Sequence, residues 1–237
     1  MLPSLGEIFG ITLFTYPLMM GLAWGFAYQM GGMVFEKKIS HLTWNLFFWG
    51  TFLTAWLGAK ALFLLTISEE GLATSSSFWL GGGFVFYGGL LGALSFILFF
   101  SLFHPTFKWR DLSLLVPILL FSHGLGRIGC FLAGCCFGKE MEHFHVRHPV
   151  QLYEAFSLMF LSFVLGKVLK KGNREELVIG YYFLIYAILR FVLEFFRGDS
   201  IRGVYGIFST SQWISILLVV PASIFLVLAL RRKKHGI

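Results

Sequence analysis

Residues 180–199 read GYYFLIYAILRFVLEFFRGD, an apolar run long enough to cross a bilayer that nevertheless carries charge. About 20 residues of helix span the hydrocarbon core of a membrane. In a helix Tyr186, Arg190, Glu194 and Arg197 recur at intervals of four, four and three residues and therefore line one face. A charged side chain at membrane depth costs at least about 2.5 kcal/mol on insertion scales, so two cations and an anion on a shared face belong in a protein cavity and not against lipid. A structural pair that only joins helices is the plainer alternative.

Outward from this segment the composition agrees. Hydrophobic residues make up 57% of the 237 and charged residues 13%, about half the charged share of an ordinary soluble domain. Apolar runs predict an all-α, polytopic membrane protein of about seven transmembrane helices, near 8 to 30, 43 to 67, 84 to 103, 111 to 133, 151 to 169, 177 to 196 and 211 to 230. Neither an internal repeat nor a linker is evident, so residues 1–237 read as one domain. The opening MLPSLGEIFGITLF lacks a basic segment, and no cleaved signal peptide is expected.

Most of the 19 lysines and arginines fall in the breaks after spans one, three, five and seven: Lys37, Lys38, Lys108, Arg110, Lys167, Lys170, Lys171, Arg174 and the run Arg231 to Lys234. The positive-inside rule then puts the N-terminus outside and the C-terminus in the cytoplasm. The same distribution reads the net charge of +7 as topology signals and anionic-lipid contacts, with no nucleic-acid partner. The long loops near 68 to 83 and 134 to 150 lie on the outer side, and the chemistry is expected there.

Three further segments carry candidate residues. Arg127 sits in SHGLGRIGCFLAGCCFGK, where a buried guanidinium wants an anion and its planar fork suits a phosphate. HPVQLYEA opens span five with His148, Gln151, Tyr153 and Glu154, and an acid there must be paired, with Arg127 or Arg190 as partner. Gly81, Gly82, Gly83, Gly88 and Gly89 bracket the start of span three and allow either close helix packing or a substrate-facing backbone. Cys130, Cys135 and Cys136, with His123 or His148, supply enough ligands for zinc. However, C-x4-C-C is a poor zinc spacing, so the cysteines read as small apolar side chains, with no metal and no cofactor assigned.

Taken in order, TYPLMM at 15–20, GAK at 58–60, GGGFVFYGGLLG at 81–92, GLGRIGCFLAGCCFG at 124–138, HPVQLYEA at 148–155, YAILRFVLEFFRGD at 186–199 and SQWISI at 211–216 give the chain its family likeness. It resembles the bacterial prolipoprotein diacylglyceryl transferase family over nearly its whole length. The resemblance implies a multi-pass protein of the bacterial cytoplasmic membrane. Its partners would be phosphatidylglycerol, a lipobox-containing preprolipoprotein and the bilayer, and the diacylglyceryl group would pass to the lipobox cysteine thiol. By motif position it implies Tyr16, Arg127, Gly138, Tyr186, Arg190 and Glu194 in a central cavity, with Gln151, Tyr153, Glu154, Arg197, Gly88 and Gly89 contacting substrate.

The chain also departs from the pattern that the resemblance implies. Tyr87 stands where the family usually has a histidine, Cys130, Ala133 and Cys135 stand for two asparagines and a glutamate, and Lys60 stands for an arginine. Tyr87, or by their neighbourhood His123 and His148, are then the candidates for the proton-transfer role. The competing readings are a transferase of the same scaffold with another lipid donor or acceptor, and a non-catalytic lipid-binding or assembly protein. A small transporter is disfavoured because the chain lacks an inverted repeat.

Overall fold

The computed structural model describes residues 2–8, 11–66, 85–104, 107, 109–141, 146–172, 175–198 and 204–234. Among them are seven α-helices: α1 Thr15–Phe35, α2 His41–Thr66, α3 Phe86–Phe103, α4 Leu112–Ala133, α5 Val150–Lys170, α6 Glu175–Glu194 and α7 Thr210–Lys234. Five of them, α2 and α4 to α7, are long and apolar enough to cross a membrane. The expected loop at 68 to 83 and glycines 81 to 83 lie outside the described residues.

The first expected span needs correction. It was placed from residue 8, but β1 (Ser4–Ile8) and β2 (Ile11–Phe14) pair as an antiparallel hairpin and the helix begins at Thr15. Ile11 to Phe14 is apolar enough to pass for membrane helix, yet its β-branched Ile11 and Thr12 and its aromatic Phe14 also suit a strand. Gly6, at φ 135°, permits the irregularity in β1.

The chain divides into two compact units, residues 1–31 with 110–237, and residues 32–109. In the second unit Ser40 Oγ accepts the Thr43 amide at 3.1 Å and caps α2. Helices α2 and α3 meet backbone to backbone. A Cβ on Gly58 would lie 2.3 Å from the Gly88 carbonyl oxygen, and one on Gly92 would lie 2.1 Å from that of Thr54, the small-residue contact of membrane helices. Phe47 packs against Phe100 and Phe107 at ring separations of 5.2 and 4.6 Å, and Lys60 is fully buried on α2.

In the first unit the chain start is tied to the end of α4 by the Leu2 amide, which donates to the Leu132 carbonyl at 3.0 Å. Gly129 gives room for Met19 of α1, and Gly124 lets α4 approach the Ala155 carbonyl of α5. Val116, Leu120, Leu158, Leu161, Leu165 and Val178 form the buried core among α4, α5 and α6. Ser162 Oγ of α5 donates to the Pro117 carbonyl of α4 at 2.7 Å, a polar link between the two helices. Outward faces carry Leu217, Phe160 and Phe163 in the open, as a lipid-facing surface requires.

Candidate active site

The unit formed by 1–31 and 110–237 gathers most of the candidate residues on four helices. On α6, Tyr186, Arg190 and Glu194 share a face as their spacing predicts, and Arg190 Nη2 lies 2.8 Å from Glu194 Oε2. The same nitrogen donates to Ser211 Oγ of α7 at 3.1 Å. Arg127 of α4 places Nε 3.0 Å from Glu154 Oε2 of α5, so of the two partners open to Glu154 it is Arg127 that pairs with it. The other carboxylate oxygen stands 3.8 Å from His123 Nε2, one turn before Arg127 on α4. The His123 ring lies 5.9 Å from that of Tyr186, and both guanidinium groups act electrostatically on His123 and on Tyr186.

Glu154 and Glu194 are 2% and 1% exposed. Withdrawing a carboxylate from solvent costs several kcal/mol, which a close guanidinium offsets only with good geometry. The pairs therefore hold two arginines in fixed orientation without neutralising every donor. Arg190 Nη1 is buried with no hydrogen-bond partner among the described residues, and such a group is explained by a missing ligand or water.

The segment between α4 and α5 forms the lip of this cluster. Gly134, at φ 76°, ends α4 in the left-handed conformation common at helix C-termini. Gln151, 2% exposed, donates from Nε2 to the Cys135 carbonyl at 2.6 Å, and its Oε1 is buried with no hydrogen-bond partner among the described residues. Tyr153 is exposed, with its hydroxyl 3.4 Å from His148 Nδ1. Tyr16, at the start of α1, is partly exposed and lies within electrostatic reach of Arg127 and all three cysteines.

Two expectations change. Arg197 was placed on the helical face with Arg190, but α6 stops at Glu194. The amides of Phe195, Phe196 and Arg197 each reach back three residues, which tightens the last turn. Arg197 then bridges Gly138 in an antiparallel pair, with the Lys139 amide donating to Phe196 and that of Gly198 to Phe137. Gly138 serves this junction through its backbone: a Cβ there would stand 2.5 Å from the His148 carbonyl oxygen.

Tyr87, Gly88 and Gly89 belong to the other unit. Tyr87 is exposed on α3, while Gly88 and Gly89 face α2, where a Cβ would meet the Gly58 carbonyl oxygen at 2.2 Å and that of Ala55 at 3.3 Å. Packing, the plainer of the two readings of these glycines, accounts for them. Sequence reasoning missed Ser211, which had only served as a landmark in SQWISI. A polar residue in the first turn of an apolar span was the available signal.

The cysteines, expected to be small apolar side chains, converge. Their sulfurs all lie within 4.8 Å of one another, with Cys130 buried and Cys135 exposed. Cys136 adopts φ 58°, a left-handed conformation unusual for a residue with a Cβ. Its thiol is lowered to about 5 by a hydrogen bond from Cys130 and by the nearby Arg127 and Arg197 guanidinium groups, against the opposing effect of burial.

Apolar helices of spanning length that carry buried, paired arginines and carboxylates define a multi-pass membrane protein. A family model described as prolipoprotein diacylglyceryl transferase matches residues 3–228. The chain is 36% identical, over 91% of each sequence, to phosphatidylglycerol–prolipoprotein diacylglyceryl transferase 2 of Clostridium perfringens. It is 30% identical to the phosphatidylglycerol–prolipoprotein diacylglyceryl transferase of Clostridium tetani, covering 93% of this chain and 94% of that relative. A similar enzyme of Glaesserella parasuis shares 26% over 94% of this chain and 91% of its own length. The chain belongs to the prolipoprotein diacylglyceryl transferase family.

Proposed function

We propose that the chain transfers the diacylglyceryl group of phosphatidylglycerol to the lipobox cysteine thiol of a preprolipoprotein, acting as one multi-pass unit in the bacterial cytoplasmic membrane. The observation that carries this reading is the pair of buried arginines, each set by its own carboxylate, on facing helices of a family member. The charge distribution supports an N-terminus outside and a C-terminus in the cytoplasm.

In the reaction a sulfur–carbon bond forms to the glycerol carbon, the bond from that carbon to the phosphate oxygen breaks, and glycerol 1-phosphate leaves with the electron pair. Arg190 and Arg127 hold the phosphate and stabilise the charge that grows on it, an effect worth about 2.7–4 kcal/mol per donor in comparable sites. Glu194 and Glu154 keep the two guanidinium groups aimed, and Ser211 fixes Arg190 from α7.

Thiolate is the nucleophile, so the acceptor must lose a proton. His123, partly exposed and beside Glu154, is the group best suited to take it. Tyr186 and Tyr16 position the head group, Gln151 and Tyr153 line the approach, and Arg197 adds positive charge near the lip. Tyr87 has only its motif position in favour of a role.

The test mixes purified protein in liposomes with phosphatidylglycerol and a lipobox peptide and follows the thioether product and glycerol 1-phosphate by mass spectrometry. Product that is lost in Arg190→Ala is the expected result. No product from a folded, lipid-bound protein overturns the reading in favour of another acceptor or a non-catalytic role.

A further inference from the structure

The chain has three cysteines, and the fold brings all three to one point at the end of α4. Cys130 projects from the last turn of the helix. Gly134 at φ 76° and Cys136 at φ 58° then reverse the backbone, so that two residues following the helix return their side chains toward the third. The cysteine spacing reads poorly for a metal because it treats the chain as continuing forward, whereas these left-handed turns close it.

We infer that Cys130, Cys135 and Cys136 form a three-thiolate site for a thiophilic cation of the zinc and copper(I) class. Three lines of geometry and charge support it. At a metal–sulfur distance of about 2.3 Å, three sulfurs around one ion stand roughly 4 Å apart; here all lie within 4.8 Å of one another, so small side-chain rotations complete the site. One sulfur is buried, one intermediate and one exposed, which gives an ion an entry path and leaves a coordination position for water.

Charge closes the argument. Three thiolates around a dication leave one net negative charge, and Arg127 and Arg197 both act on Cys136. Thiolate ligands select soft ions over magnesium or calcium. Binding is ligation without redox: each thiol still protonated gives its proton to water as its sulfur–metal bond forms. The adjacent pair Cys135–Cys136 is poorly placed for a relaxed disulfide, and a disulfide would also require an external oxidant. An ion here would fix the Cys135 carbonyl that holds Gln151, without needing the transferase reading to be correct.

The experiment uses the full chain in detergent, reduced and then freed of reductant under nitrogen. Three reactive thiols per chain are counted first, and cadmium(II) is then titrated while the thiolate-to-cadmium charge-transfer absorbance is followed. Saturation at one ion per chain is expected, with displacement by copper(I) and protection of the thiols from alkylation. Cys136→Ser should weaken binding by at least about tenfold. Cys135→Ser, at an exposed position, should do the same with an unchanged size-exclusion profile, which guards against a variant that misfolds. Fewer than three thiols in the protein purified without reductant, counted after denaturation with a chelator so that a bound ion cannot mask them, would mean a disulfide and overturns the inference. So does a full thiol count with no charge-transfer band, or a band that both serine variants retain.

Discussion

Helices α2 and α3 are joined by the removal of side chains, whereas α4 and α5 are joined in part by buried charge. At Gly58, Gly88 and Gly92 the backbone of one helix lies directly on the other, and close packing of this kind is sufficient to associate helices in lipid. Arg127–Glu154 and Arg190–Glu194 add ion pairs inside a bundle that already has an apolar core at Leu120, Leu158 and Leu165. Because a buried ion pair often contributes no more stability than well-packed apolar residues, adhesion does not explain it. The contrast teaches that the charges were retained for something other than holding the bundle together.

The largest expected effect breaks that contrast directly. Arg127→Ala should lower product formation by about 10²–10³-fold. It should also cost roughly 3–5 kcal/mol of stability, because Glu154 is left buried and uncompensated. The double variant Arg127→Met, Glu154→Leu should recover the thermal midpoint in detergent while product remains absent; recovered product would make the pair mere glue.

Next in size is Gly92→Leu in the other unit. With the Thr54 carbonyl oxygen 2.1 Å from the new Cβ, overpacking should cost about 1–3 kcal/mol or more and reduce the yield of folded protein in size exclusion. Gly25→Ala, where nothing lies within 4 Å, should be neutral or gain up to about 1 kcal/mol. Ser211→Ala removes one hydrogen bond to Arg190 and should cost about 0.5–1.5 kcal/mol of stability, read as a small fall in the melting point together with a fall in turnover. Smallest is Arg110→Gln. Its 2.9 Å pair with Glu176 lies at an end of the bundle, and Arg110 is 58% exposed, so the change in stability should stay under about 1 kcal/mol and vanish in high salt.

Much of this molecule was legible in its residues. The expected span at 111 to 133 became α4 at Leu112–Ala133, because apolar length is a direct consequence of bilayer thickness. Arg190 with Glu194 followed from helical spacing, and the cost of leaving a charge alone called for Arg127 or Arg190 beside Glu154, of which the fold selects Arg127. What the residues did not disclose depends on where regular geometry stops. Hydropathy does not separate Ile11 to Phe14, a strand, from the helix after it. Periodicity carried Arg197 onto α6 because nothing local announces that the helix tightens and ends at Glu194. The cysteine cluster was hidden for the same reason, since two left-handed residues undo the distance that counting along the chain implies.

The backbone junction between Phe137–Lys139 and Phe196–Gly198 has a consequence for how the lip opens. The ladder also takes in His148, whose amide donates to Lys139 and whose carbonyl accepts from Gly138, so three stretches distant in sequence share one set of bonds. Such a set opens as a cooperative unit. The amides of Gly138, Lys139, His148 and Gly198 should therefore exchange with solvent deuterium at a common rate.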